Sequence, residues 1–152
     1  MLKLPIEFRS SATAHKNVSV PWLIQSGEYS SNCAIPPEFG GTGGAFSPED
    51  LFLQALINCF VGTFKVYAQA SKISYTDLVV SGLLTVDHNA SGAIRMQSCM
   101  LKINLYGVSK PDRVSALVDK VFRDGFILNS VKTEIHHQLV IHEVQHASSQ
   151  DK

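Results

Sequence analysis

The sequence predicts an α+β domain in which antiparallel strands surround one long, buried central helix. Two observations carry this prediction. A helix-length run, residues 48–71, is apolar nearly all round, and two long β-type runs flank a four-residue turn, Asn89-Ala90-Ser91-Gly92. The order is short strands, buried helix, hairpin, surface helix and closing strand, which is the segregated pattern of an α+β fold.

Residues 6–35 read as short strands with turns. Val18, Val20, Leu23 and Ile24 are β-type residues interrupted by Pro21, and Ser26-Gly27 marks a turn. Pro36-Pro37 stops any strand, and Gly40-Gly41-Thr42-Gly43-Gly44 reads as a flexible connector. A helix start follows, with Ser47 as N-cap, Pro48 at the first helical position and Asp50 three residues after the cap. The helix is expected over Pro48–Ser71, where Leu51, Phe52, Leu56, Cys59, Phe60, Phe64 and Tyr67 leave almost no polar face. One sheet covers one side of such a helix, so the other side calls for a second copy of the chain.

Thr76–His88 and Ala93–Val108 are the two arms of the hairpin. Ser109-Lys110-Pro111-Asp112 opens a second helix, whose single apolar stripe of Val114, Leu117, Val118, Val121 and Phe122 packs it on a sheet. The last strand, Val131–Ile141, alternates and sets Val131, Ile135, His137, Leu139 and Ile141 on one face. A polar tail from Ala147 is expected to fray.

Composition narrows the function classes. The 152 residues suit one domain, and 45% hydrophobic with 17% charged content is that of an ordinary globular protein. Thirteen basic residues balance thirteen acidic ones and are scattered singly, so no one-signed field favours nucleic acid or an acidic membrane. Gln54, Asn58, Lys65 and Gln69 argue against the apolar helix as a membrane span. The opening MLKLPIEFRSS has no apolar stretch of signal-peptide length, which leads to an expected cytoplasmic location.

The candidate chemistry is sparse. The GGTGG loop stands before a helix N-terminus but lacks the Gly-Lys-Ser/Thr ending of a phosphate-binding P-loop. His136 and His137 point to opposite faces of a strand. His136 and His142 share a face but stand about 20 Å apart at ~3.3 Å per residue. No metal site or other cofactor is expected. Three cysteines, Cys33, Cys59 and Cys99, are an odd number without metal-finger spacing, so they read as free thiols. Taken alone, each is most simply a small core residue.

The segment around Cys59 changes that reading. Pro37-Glu38-Phe39-Gly40-Gly41, Gly44, Ser47-Pro48-Glu49-Asp50-Leu51 and then Cys59-Phe60 resemble the OsmC/Ohr family, whose PEFGG-type loop, SPE-type helix start and helix cysteine recur in this order. The likeness is detailed over residues 36–71 and looser through the hairpin, the surface helix and a closing segment, Phe126–Lys132. The resemblance implies an intertwined homodimer that reduces organic hydroperoxides, with Cys59 as the attacking thiol and Glu49 as the carboxylate that serves it. Ten residues of helix separate Glu49 from Cys59 by about 15 Å, on different faces. A shared site therefore implies that Glu49 comes from the partner subunit or reaches it through other groups.

Two departures stand out. Peroxidatic members carry a second, resolving cysteine just before the segment resembling Phe126–Ser130, and here that position is Gly125. They also set an arginine from the N-terminal strands beside the thiol, and this chain offers only Arg9 there. Without the second thiol, a sulfenic acid awaits an external thiol reductant or oxidises further, and turnover is expected to be weak. The alternative is an OsmC-like dimer that binds an apolar small molecule, or acts in a stress response, without turnover.

Overall fold

The computed structural model describes residues 2–143, so the tail from Ala147 and His146 lie outside the described residues. The chain divides into two compact units, Met1–Phe52 and Leu53–Lys152.

The first unit holds a three-stranded antiparallel sheet of β1 (Ser11–Thr13), β2 (Trp22–Ser26) and β3 (Tyr29–Cys33), in the order β1-β2-β3. Ser26 pairs with Tyr29 across the two-residue turn Gly27-Glu28, and Gly27 takes φ +59°, which a glycine adopts without strain. Val18 and Val20 fall outside any strand, because the chain bends before Pro21.

The glycine segment differs from the loose connector expected of it. A 3-10 turn at Pro37–Phe39 leads into it, and the amides of Gly40, Gly41 and Gly43 bond back to Pro37, Pro36 and Ile35 carbonyls at 3.0–3.1 Å. Gly41 lies against the Ile35 carbonyl so closely that a Cβ there would collide with it. The glycines serve a tight fold-back that leads to the helix start.

Helix α1 (Pro48–Ala70) begins as expected and ends one residue earlier. Ser47 Oγ accepts from the Asp50 amide at 3.0 Å while Asp50 Oδ2 accepts from the Ser47 amide at 2.9 Å, a reciprocal capping box built with aspartate. The acidic pair Glu49 and Asp50 also suits the positive end of the helix.

The second unit pairs β4 (Asp77–His88) with β5 (Ile94–Tyr106) in a long antiparallel hairpin. Asn89 Oδ1 accepts from the Ser91 and Ala93 amides at 3.0 and 2.9 Å, and Gly92 sits at φ +84°, which closes the turn read from composition. Helix α2 (Pro111–Asp124) follows, burying Val114, Leu117, Val118 and Val121.

Strand β6 (Glu134–His142) then pairs with β5 in parallel, from Ser98↔Glu134 to Tyr106↔His142. The expectation of antiparallel sheets therefore holds for β1-β2-β3 and β4-β5 but fails for β6. The physical reason is α2: a helix between two strands carries the chain back along the sheet, so the next strand starts at the same end as the last.

In the second unit α1 packs on this sheet at Gly82 of β4. A Cβ on Gly82 would stand 2.7 Å from Leu53 Cδ1, so the missing side chain is what lets the helix approach. The core is continued by aromatic rings: Phe60 and Phe64 stack at 5.7 Å, Phe60 meets Phe122 of α2 at 5.2 Å, and Phe122 stacks on His137 at 4.2 Å.

The helix is not buried all round within one chain. Leu56, Phe60, Phe64 and Ala68, one row at four-residue spacing, are buried, while Val66 is 63% exposed. By length and composition alone α1 could cross a membrane, and within the chain it buries one face.

Candidate functional site

Cys59 lies midway along α1, next to the buried Phe60 but itself only partly covered. It opens into a cleft of about 340 Å³ within the second unit. The helix contributes Gly62, Thr63, Val66 and Tyr67 to this cleft, and the turn after α2 contributes Asp124, Phe126 and Ile127. Most of the wall is apolar. Its polar end is a hydrogen bond from Tyr67 Oη to Asp124 Oδ2 at 2.8 Å.

Gly125 lies beside the sulfur. Built with an ideal Cβ, it would stand 3.2 Å from Cys59 Sγ, 3.1 Å from the Val121 carbonyl oxygen and 3.0 Å from Leu128 Cδ1. Its φ of −62° and ψ of 120° are open to any residue, so glycine is not required by backbone conformation. What its lack of a side chain does is leave free the space beside the thiol that a Cβ would take.

The turn is fastened around that contact. The Asn129 side-chain amide donates to the carbonyls of Phe122, Arg123 and Gly125 at 2.9, 3.1 and 2.7 Å, which satisfies the end of α2. Ser130 Oγ donates to the Phe126 carbonyl at 2.6 Å. Lys120 Nζ lies 4.6 Å from the centre of the Tyr67 ring, and Arg123 Nε donates to Asp124 Oδ1 at 3.2 Å.

These contacts set two ionisation states. The Tyr67 hydrogen bond, opposed by burial and aided by Arg123, holds the Asp124 carboxyl below the usual carboxylate range. The same bond, then burial, lifts the Tyr67 phenol above its ordinary value.

The other candidates are placed differently. Glu49 lies in the first turn of α1, ten positions before Cys59 on the same helix. Its Oε2 is buried and has no hydrogen-bond partner among the described residues. Arg9 is not beside it: the guanidinium pairs with Glu7 at 3.2 Å, with both side chains in solvent.

Cys33 ends β3, buried, and burial raises its thiol, with Glu49 and Asp50 adding to the rise against a lowering bond from the Ala34 backbone. Cys99 is fully buried in β5 and is also raised by burial.

His136 pairs with Glu134 at 3.1 Å, while His142 bonds Asn104 at 2.9 Å and stacks on Tyr106. Among the described residues, no three His, Cys, Asp or Glu side chains converge as a metal site would need.

The sequence reading missed Tyr67, Asp124 and Asn129. Tyr67 carried a faint signal, since positions 59, 63 and 67 recur at four-residue spacing on one helix face. Asp124 carried none, because only the packing of α2 against α1 brings it to the cleft.

A comparison with curated protein sequences finds no match. Among solved structures, an OsmC-like protein of unknown function from Vibrio cholerae superposes with a TM-score of 0.81 at 17% identity, over 90% of this chain and all of that one. An organic hydroperoxide resistance protein from Legionella pneumophila gives 0.70 at 22% identity, over 91% and 98% of the two chains. The organic hydroperoxide resistance protein OhrB of Bacillus subtilis gives 0.66 at 16%, over 90% and 98%. At these identities the likeness is one of fold. The family described as OsmC-like protein matches residues 41–140, a stretch that runs from the glycine turn through α1, the hairpin and α2 into β6. The chain belongs to the OsmC-like protein family.

Proposed function

We propose that this protein reduces organic hydroperoxides through Cys59 and regenerates the thiol with an external thiol. The observation that carries the reading is the contact between Cys59 Sγ and Gly125. The resemblance assigns the family's resolving cysteine to position 125, and 3.2 Å from a Cβ to the sulfur is close to the about 3 Å that disulfide bond lengths and angles give. That distance supports reading Cys59 as the reacting thiol.

In the proposed cycle the Cys59 thiolate attacks the hydrogen-bearing oxygen of R–O–O–H. The S–O bond forms, the O–O bond breaks, and the departing alkoxide takes a proton to become the alcohol. Sulfur is oxidised by two electrons to sulfenic acid and the peroxide is reduced by two. With no thiol at Gly125, an external thiol condenses with the sulfenic acid, releasing water and leaving a mixed disulfide. A second external thiol breaks that disulfide and restores Cys59. The apolar wall of Val66, Phe126 and Ile127 suits an alkyl hydroperoxide better than hydrogen peroxide.

The protein is further proposed to act as a cytoplasmic homodimer. The exposed side of α1 at Val66 supports this, as does an apolar alternation, Leu2, Leu4, Ile6 and Phe8, exposed at 56, 71, 49 and 92%. Such a strip suits a segment exchanged with a second copy, the sense in which the dimer would be intertwined. The unpartnered Glu49 oxygen suits a site that takes a group from the partner. A second reading, an apolar-ligand binder without turnover, is favoured by the missing thiol at Gly125.

The deciding experiment measures consumption of an alkyl hydroperoxide with a small thiol or dithiol reductant, beside Cys59→Ser. Turnover lost in the variant supports the enzyme. Equal rates, or none in either protein, would leave the binding reading.

A further inference from the structure

The turn that covers Cys59 is tied down from two sides. Asn129 holds it from within, through three carbonyls at the end of α2. From without it is tied by one bond, Tyr67 Oη to Asp124 Oδ2, which joins residues 57 positions apart in the chain. Asp124 immediately precedes Gly125, where a Cβ would stand 3.2 Å from Cys59 Sγ. Tyr67 stands two helical turns beyond Cys59 on the same helix, so the bond closes the end of the cleft.

This tie differs from the rest of the packing. Leu128 anchors the far side of the turn in the core, but Phe126 is 75% exposed and Ile127 44%, so little apolar burial holds the stretch that lines the cleft. A segment with few buried contacts opens easily, and a single hydrogen bond then has leverage over its position.

We propose that Tyr67 and Asp124 are positioning residues whose hydrogen bond clamps the turn after α2 over the Cys59 sulfur and so sets the room available to an incoming reactant. The inference deepens the reading of Cys59 as the reacting thiol, and it concerns access to the sulfur rather than the chemistry of peroxide. The bond needs a hydroxyl on residue 67 and an acceptor oxygen on residue 124. It does not need a charge on 124.

The test is alkylation of Cys59 by iodoacetamide and by a bulky fluorescein maleimide, read on the Cys59 peptide by mass spectrometry. Tyr67→Phe, Asp124→Ala and Asp124→Asn are compared with the native protein. Tyr67→Phe and Asp124→Ala are expected to raise the maleimide rate about three- to tenfold, the range a net hydrogen bond contributes to an opening equilibrium. Iodoacetamide, small enough for the closed cleft, should change little. Asp124→Asn keeps an acceptor oxygen and should react like the native protein.

Unchanged maleimide rates in Tyr67→Phe and Asp124→Ala would overturn the clamp. So would equal acceleration of both reagents, which marks general loosening, or an Asp124→Asn variant that behaves like Asp124→Ala. Native protein that shows this alkylation pattern but consumes no hydroperoxide would sink the proposed enzyme and leave the clamp standing.

Discussion

Gly125 and Cys59, 66 positions apart in the chain, meet so closely that an ideal Cβ on the glycine would stand 3.2 Å from the sulfur. The contact relates the one thiol that opens into a cleft to the one position where the family resemblance expects a second thiol and finds none.

Gly125→Cys should therefore form an intramolecular disulfide with Cys59 under mild oxidation. The dihedral angles at 125 suit any residue, and a Cβ there needs small shifts of the Leu128 side-chain end at 3.0 Å and the Val121 carbonyl at 3.1 Å. The oxidised variant should gain about 2–4 kcal/mol against urea over its reduced form. Non-reducing peptide mapping reads the bond, and a variant that keeps two free thiols after oxidation would contradict the geometry.

In the native protein, one equivalent of an alkyl hydroperoxide should add oxygen at Cys59 and leave Cys33 and Cys99 reduced. Those two thiols are 2% and 0% exposed, and burial raises both, which disfavours the reactive thiolate. Intact and peptide mass spectrometry distinguish a sulfenic or sulfinic adduct from a disulfide. A Cys59–Cys33 or Cys59–Cys99 bridge would show instead that another thiol resolves the intermediate.

The Tyr67–Asp124 bond should be strongest at neutral pH, keep only its uncharged part in acid and be lost in alkali. Asp124 is depressed in the fold, so its contribution is present above the ordinary carboxylate range and disappears as pH falls through its lowered value. Tyr67 is raised, so its contribution is present below the ordinary phenol range and disappears as pH climbs through its elevated value. Following phenolate absorbance, Tyr67→Phe should remove a group that titrates above the ordinary phenol range. Loss of a normally titrating group would refute the shift.

Filling the helix–sheet contact should be costly. Gly82→Ala puts a methyl 2.7 Å from Leu53 Cδ1 and 3.2 Å from Leu101 Cδ2, and the overpacking should destabilise the fold by about 1–3 kcal/mol. Urea denaturation measures it. An unchanged midpoint would mean that the ends of the Leu53 and Leu101 side chains turn aside for the methyl.

The dimer makes a mass prediction. Light scattering should give twice 16.6 kDa at micromolar concentration, and deletion of residues 2–9 should weaken the association. A stable, folded species at the mass of one chain would end the proposal.

What the sequence determined by itself is the local part of this protein. Ser47, Pro48 and Asp50 specify a helix start because a cap needs only its own three or four neighbours. The turn at Asn89–Gly92 and the stripe from Val114 to Val121 are set in the same way, by side-chain chemistry and period. The motif order around Cys59 carried the family as well, because it is linear in the chain.

The tertiary structure decided what depends on distant segments meeting. Strand β6 runs parallel to β5 because α2 returns the chain to the same end of the sheet, which alternation along β6 cannot express. The glycine segment folds back on Ile35–Pro37 through hydrogen bonds that composition does not encode. Asp124 and Gly125 reach α1 only because the stripe of α2 and the ring of Phe122 dock that helix beside Phe60. Periodicity states which face of an element is apolar. Which element covers that face, and so which residues come within reach of Cys59, is fixed only when the packed core closes.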